Sequence, residues 1–195
     1  MISAVLREEI LTCHSCKLRD GCRSPVVGEL VGELVGVGVP TIMLVGEAPG
    51  EVEDRKGRPF HPTAPAGSIL RALAAQVGID CYWLTNANKC RPPGNRTPHP
   101  AERDACYPLL LKEIVEINPR VIGVVGLSAA ARWFGNRTMA VINGDARAVR
   151  MRGSDVVRVI VPIQHPASYF HQGRDTRVLE IIKVGLERVL LEASR

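Results

Sequence analysis

Four of the six cysteines in this 195-residue chain fall where they could share one site: Cys13 and Cys16 near the N-terminus, Cys90 and Cys106 at mid-chain. A thiolate is a soft ligand suited to iron or zinc. A C-x2-C pair presents two thiolates on one local turn, so that two more from elsewhere complete a tetrahedral set. The cysteines alone leave the metal open. Two other segments carry residue types that could do chemistry: the turn Gly46-Glu47-Ala48-Pro49-Gly50, and the late pair His165-Pro166.

These residues need elements to position them. Four short β-rich runs, Thr41 to Gly46, Tyr82 to Asn86, Arg120 to Gly126 and Val156 to Ile163, are mostly continuous apolar stretches, as expected of parallel strands covered on both faces. Helical patterns lie between and after them, at Gly67 to Val77, Pro100 to Ile117, Ser128 to Phe134 and about Thr176 to Glu192, and Met1 to Leu11 reads as an amphipathic helix. The alternation predicts an α/β fold, a three-layer sandwich around a central four-stranded parallel sheet, in a single domain over 1–195. In such sheets ligands bind beyond the carboxyl ends of the strands. The Gly46 to Gly50 turn, Asn86 to Arg91 and His165 to Ala167 all fall there, whereas Gly126-Leu127-Ser128 reads as a tight turn with Ser128 as helix cap. Val27 to Gly38 repeats Gly-Glu-Leu-Val over too short a span for a solenoid and reads as a glycine-rich connector.

Composition narrows the class. Hydrophobic residues make up 46%, which suits a globular core, and no segment approaches the roughly 18 apolar residues of a membrane span. A cytoplasmic protein is expected, with its cysteines as thiols or metal ligands rather than disulfides. Lysine and arginine outnumber acids by 25 to 20, which favours a polyanionic partner.

The motifs, taken in order, resemble those of the family 4 uracil-DNA glycosylases, which carry a four-iron cluster. They are the C-x2-C pair, Gly46-Glu47-Ala48-Pro49-Gly50-Glu51-Val52-Glu53-Asp54, Gly57-Arg58-Pro59-Phe60, Thr85-Asn86-Ala87-Asn88-Lys89-Cys90-Arg91-Pro92-Pro93-Gly94-Asn95-Arg96, Cys106 and His165-Pro166. The resemblance runs from Cys13 to the last helix and implies the uracil-DNA glycosylase fold. It also implies a monofunctional DNA glycosylase, expected as a monomer, that flips a pyrimidine and leaves an abasic site. By the same resemblance Cys13, Cys16, Cys90 and Cys106 ligate a [4Fe–4S] cluster, while Cys22 and Cys81 lie outside the pattern and read as small buried hydrophobes.

The resemblance assigns roles residue by residue. N-glycosidic cleavage passes through an oxocarbenium-like sugar and a departing base anion, so negative charge on the base must be stabilised. His165 matches the histidine that donates to the base O2, with the Gly46, Ala48, Pro49 and Gly50 backbone around the same oxygen and Glu47 at the base or the attacking water. Ala48 stands where other glycosylase families have an aspartate. Phe60 is expected to stack on the flipped base and Asn86 to read its Watson–Crick edge, with Glu53 and Asn88 nearby. An amide carries both a donor and an acceptor, so Asn86 alone does not separate uracil from cytosine. Lys89, Arg91, Arg96, Arg174 and Arg177 are expected at DNA phosphates. Tyr169 and Phe170 are expected as the wedge that fills the gap in the stack, or else as caps on the core under the last helix.

In two respects the chain departs from the family. After Phe60 it reads His61-Pro62-Thr63-Ala64-Pro65-Ala66-Gly67, two residues longer than the usual linker, and Asn88 stands where an apolar residue is usual. Uracil is the leading substrate. The longer segment raises one alternative, a glycosylase for a bulky modified pyrimidine such as a hydroxymethylated or glucosylated phage base; a second, of a different class, is a catalytically weak iron–sulfur DNA-binding protein, against which the retention of Glu47, Asn86 and His165 argues.

Overall fold

The structure is a computed structural model that describes residues 1–34, 38–135, 137–151 and 156–195. The chain opens with helix α1 (Ala4–Leu11) and the short α2 (Leu18–Gly21), followed by strand β1 (Glu29–Val31) and the first central strand β2 (Ile42–Gly46). Then come α3 (Glu51–Lys56), α4 (Pro65–Gln76), β3 (Tyr82–Asn86), α5 (Pro100–Ile117), β4 (Val121–Val125), α6 (Leu127–Phe134) and α7 (Met139–Ile142). The remainder is β5 (Arg147–Arg150), β6 (Val157–Ile163), α8 (Ala167–His171) and α9 (Arg177–Ala193). Among the described residues one sheet has the order β1-β3-β2-β4-β6-β5.

The four strands expected from sequence are its parallel centre, but two more flank them, which corrects the four-stranded sheet. Both edge strands, β1 on β3 and β5 on β6, run antiparallel. Neither has a buried apolar run: β1 lies inside the glycine-rich stretch and β5 alternates half-buried and exposed residues. An edge strand has only one neighbour, so its sequence carries little of the central hydrophobic signal. The last three residues of the connector, apart from Gly38, lie outside the described residues.

Every residue of β2, β3 and β4 is buried, because helices cover both faces. Period-two alternation divides them: Ile42 and Leu44 meet Leu70 and Ala74 of α4 and Val178, Ile182, Leu186 and Val189 of α9. Met43 and Val45 face the opposite way, onto Leu110, Ile114 and Ile117 of α5 and Ala129, Ala130 and Phe134 of α6. The α9 set recurs at helical spacing, and burial of each such side chain is worth about 1.5–3 kcal/mol. Two rigid layers thus clamp the strands whose carboxyl ends carry the site. No helix among the described residues is long and apolar enough to cross a membrane.

Candidate active site and cysteine cluster

A cleft of about 510 Å³ opens over the ends of β2, β3 and β6, lined by Glu47, Ala48, Pro49, Gly50, Phe60 and His165 among others. Its geometry starts at Gly46. A Cβ there would fall 2.4 Å from Asn86 Oδ1 and 2.5 Å from the Phe60 ring, so the absence of a side chain lets these two residues meet at the strand end. Asn86 is buried, and its Nδ2 has no hydrogen-bond partner among the described residues. A buried amide left with an open donor is costly unless a ligand supplies the acceptor.

Phe60 is held in a strained conformation. Its φ is +43°, disfavoured for a residue with a side chain, and such strain persists only where surrounding contacts over-determine it. Here the contacts come from one guanidinium: the Phe60 carbonyl accepts from Arg71 Nε at 2.8 Å and the Pro59 carbonyl from Arg71 Nη2 at 3.2 Å. Arg71 is in turn paired with Glu29 of β1, so the edge strand holds the aromatic ring in place. Glu53, expected at the base, lines the cleft but accepts the Gly50 N–H with its carboxylate, and burial raises its pKa. Asp54 likewise serves the fold, accepting the Arg23 N–H at 3.0 Å.

His165 stands two residues beyond the end of β6, with its ring 6.0 Å from that of Phe60, centre to centre. Gly126 lies against it with φ +95°, where a Cβ would meet the ring and its Cβ at 3.2 Å. The Ala167 N–H donates to His165 Nδ1 at 3.1 Å. That bond makes Nδ1 the acceptor and leaves the proton on Nε2, the nitrogen free to donate into the cleft. Burial, with a smaller push from His171, lowers the His165 pKa to about 4, so the imidazole is neutral at physiological pH.

That shift has a consequence for stability. The folded-state pKa lies below the usual 6.5, so between the two values the unfolded chain binds the extra proton and the folded chain does not. The contribution is intact above about pH 6.5 and is lost as pH falls towards 4, by on the order of 3 kcal/mol at most. Denaturant titrations from pH 8 to 4 should show this loss, and His165→Gln should flatten that part of the curve. A variant with the wild-type acid profile would assign the loss to other groups.

Glu47 stands between two clefts. It lines the one just described and another, bounded by α5 and α6, that includes Tyr107, Ser128, Arg132 and Trp133. Its Oε1 is buried without a partner among the described residues, and its backbone carbonyl accepts the Asn88 N–H at 2.9 Å.

Two expected site residues are not among those lining this cleft. Asn88 is 1% exposed and turns away from the base, donating to the Glu102 carbonyl of α5 at 3.0 Å. Lys89, also 1% exposed, is an internal cation paired with Glu113 and cannot reach a phosphate. Both sit in a run that sequence reads as a loop, but the backbone here passes under α5. Arg96 remains at the cleft, bidentate to Glu102 at 2.8 Å, a pairing that lowers the Glu102 pKa to about 2. Arg91 donates to Asn95 Oδ1 at 2.7 Å, Arg177 pairs with Asp175, and Arg174 is exposed. Tyr169 packs against the α9 core with its ring edge-on to that of Phe170, 5.1 Å away, while Phe170 projects with 38% exposure. Asn95, not singled out from sequence, lines the cleft with φ +57°. Its only signal was its place after Gly94 in the Pro92-Pro93-Gly94 turn.

The four expected metal ligands come together. Cys13, Cys16, Cys90 and Cys106 line one small cavity with the apolar side chains of Ile10, Leu18 and Leu109. Burial raises the thiol pKa of Cys16, Cys90 and Cys106, and neighbouring sulfurs add to it: Cys13 acts on Cys16, Cys16 and Cys13 on Cys106, and Cys22, Cys106 and Cys16 on Cys90. The Lys89 N–H already points at Cys106 Sγ, 3.3 Å away. Among the described residues no three His, Cys, Asp or Glu side chains form a site for a single metal ion. A four-iron cluster would take four thiolates, one on each iron, which is the number lining this cavity. Cys22 is buried against Cys90, and Cys81 stands apart at the start of β3.

Residues 36–183 match the model of the uracil DNA glycosylase superfamily. The chain is 33% identical over 186 residues to the type-4 uracil-DNA glycosylase of Thermotoga maritima, covering 94% of this chain and 91% of that one. This chain belongs to the type-4 uracil-DNA glycosylases. Two archaeal members agree: that of Pyrobaculum aerophilum is 36% identical over 84% of this chain and 82% of its own, and that of Archaeoglobus fulgidus 34% identical over 91% and 88%. Members of this family are DNA glycosylases, hence hydrolytic enzymes. The comparisons lend no support to the modified-pyrimidine reading or to a catalytically weak DNA-binding protein.

Proposed function

We propose that this protein, acting as one domain over 1–195, removes uracil from DNA by hydrolysing its N-glycosidic bond. The observation that carries the reading is the Ala167 N–H bond to His165 Nδ1, which leaves a neutral Nε2–H donor on a cleft lined by Phe60, with the Asn86 amide and the Phe60 ring both against Gly46. The flipped base stacks on Phe60. The open Asn86 Nδ2 donates to uracil O4, and its Oδ1 accepts from N3–H. His165 Nε2–H meets O2, where negative charge grows as the glycosidic bond breaks. Glu47, with a carboxylate oxygen unpartnered between the two clefts, orients the attacking water. Ala64, Pro65 and Ala66 of the longer segment line the same cleft, so that segment closes the pocket rather than lying apart from it.

Cys13, Cys16, Cys90 and Cys106 hold a [4Fe–4S] cluster in this reading. When bound it serves as a cross-link between the N-terminal segment and the loop that leads from Asn86 to α5. The apolar lining, the mutual pKa pressure of the thiols and the N–H directed at Cys106 all fit such a group.

Single-turnover assays on oligonucleotides carrying uracil, cytosine, thymine or 5-hydroxymethylcytosine test the substrate. Efficient excision of uracil alone is expected, and preference for any other base would contradict the reading. In this reading Phe170 is the wedge, supported by its exposure and by Tyr169 edge-on beside it. Phe170→Ala should slow excision from duplex DNA by about tenfold and change single-stranded excision little, since only a duplex leaves a gap to fill. An equal loss on both substrates would assign Phe170 to the fold.

A further inference from the structure

The charged pair beneath the cleft takes no part in the chemistry described above. Lys89 and Glu113 are 1% and 0% exposed, and Thr85 between them is fully buried. The Lys89 ammonium donates to Glu113, to Thr85 Oγ1 at 2.9 Å and to the backbone carbonyl of Asn86 at 2.7 Å. Glu113 also accepts from Thr85 Oγ1, at 3.0 Å. A buried ion pair is a poor device for stability, because apolar residues of similar volume usually do as well. This one does something apolar residues cannot: it aims a donor at the last carbonyl of β3.

We propose that Lys89 is a positioning residue for base recognition, whose ammonium, neutralised by Glu113, fixes the Asn86 peptide and with it the direction of the Asn86 amide. The inference rests on Asn86 as the reader of the base edge. The N–H side of this turn is already fastened, with Ala87 N–H on the Gly46 carbonyl at 2.8 Å and Asn88 N–H on that of Glu47 at 2.9 Å. Lys89 fastens the carbonyl side, so the turn is gripped at both edges and the Asn86 and Glu47 segments move as one. The same residue ties this grip to the cysteine cavity, since its N–H meets Cys106 Sγ and its carbonyl accepts the Val26 N–H at 2.7 Å.

The test uses Lys89→Met/Glu113→Gln, which removes both charges and leaves neither buried alone. Thermal midpoint, iron content, DNA affinity and single-turnover rate on uracil DNA are measured together. The expected result is a rate about 10 to 100-fold lower, with DNA affinity within about threefold and iron retained, because a small misplacement of a recognition group acts on the reaction rather than on backbone binding. Should that variant fail to fold, the single variants decide. Glu113→Gln keeps the Nζ to carbonyl bond and loses stability with little loss of rate, whereas Lys89→Met loses both. A double variant as fast as wild type, or single variants whose rates fall in proportion to their lost stability, overturns the inference. Wild-type protein that releases no uracil would instead contradict the underlying reading, and the inference with it.

Discussion

His165→Ala lowers the single-turnover rate of uracil release by about a hundredfold or more and leaves DNA affinity nearly unchanged. The reason is differential. The Nε2–H bond to O2 is ordinary while the base is neutral and strengthens as the departing base gains charge, so its loss is felt in the transition state. Removing one such donor costs roughly 2 to 4 kcal/mol in comparable sites. Because burial holds His165 neutral down to about pH 4, the wild-type rate should not fall as pH rises through 6.5. A protonated imidazole acting as the donor would lose activity across that range. A variant defective in binding alone would make His165 a DNA contact instead.

Cys90→Ser or Cys106→Ser removes iron and the visible absorption of the cluster and destabilises the fold by several kcal/mol, on the order of 10 °C in thermal midpoint. Both residues are buried, at 8% and 7% exposure, in segments that flank the base-reading turn, and without the cluster they leave two loops unjoined. Cys81→Ala should be mild. Cys22→Ala should lie between, because that side chain packs on Cys90 without lining the cavity. Purified protein with stoichiometric zinc and no iron would refute the assignment.

The central strands and the large helices were legible because their signals are local: a buried parallel strand is an apolar run, and α5 begins at Pro100 with Glu102 closing its first turn onto the His99 N–H. The spacing of the motifs also brought His165, Phe60 and Asn86 forward as candidates, and the structure sets the His165 and Phe60 rings 6.0 Å apart with Asn86 beside Phe60 at Gly46. What escaped is set by contacts far apart in sequence. Nothing near Lys89 tells that Glu113, 24 residues on, will draw it inside, nor that Arg71 and Glu29 will hold Phe60 in a left-handed conformation. The edge strands escaped because each shares only one neighbour. The polarity of Asn88 reads as a ligand in sequence, and only the fold shows that it donates to the Glu102 carbonyl of α5.

The claim that a neutral histidine expels uracil from this cleft is tested most directly by following both products on a uracil-containing strand under single-turnover conditions. The expected result is free uracil in step with abasic sites that break only after alkali, with both slowed together in His165→Ala. Absence of uracil release by the iron-loaded protein, or strand breakage without alkali, would contradict it.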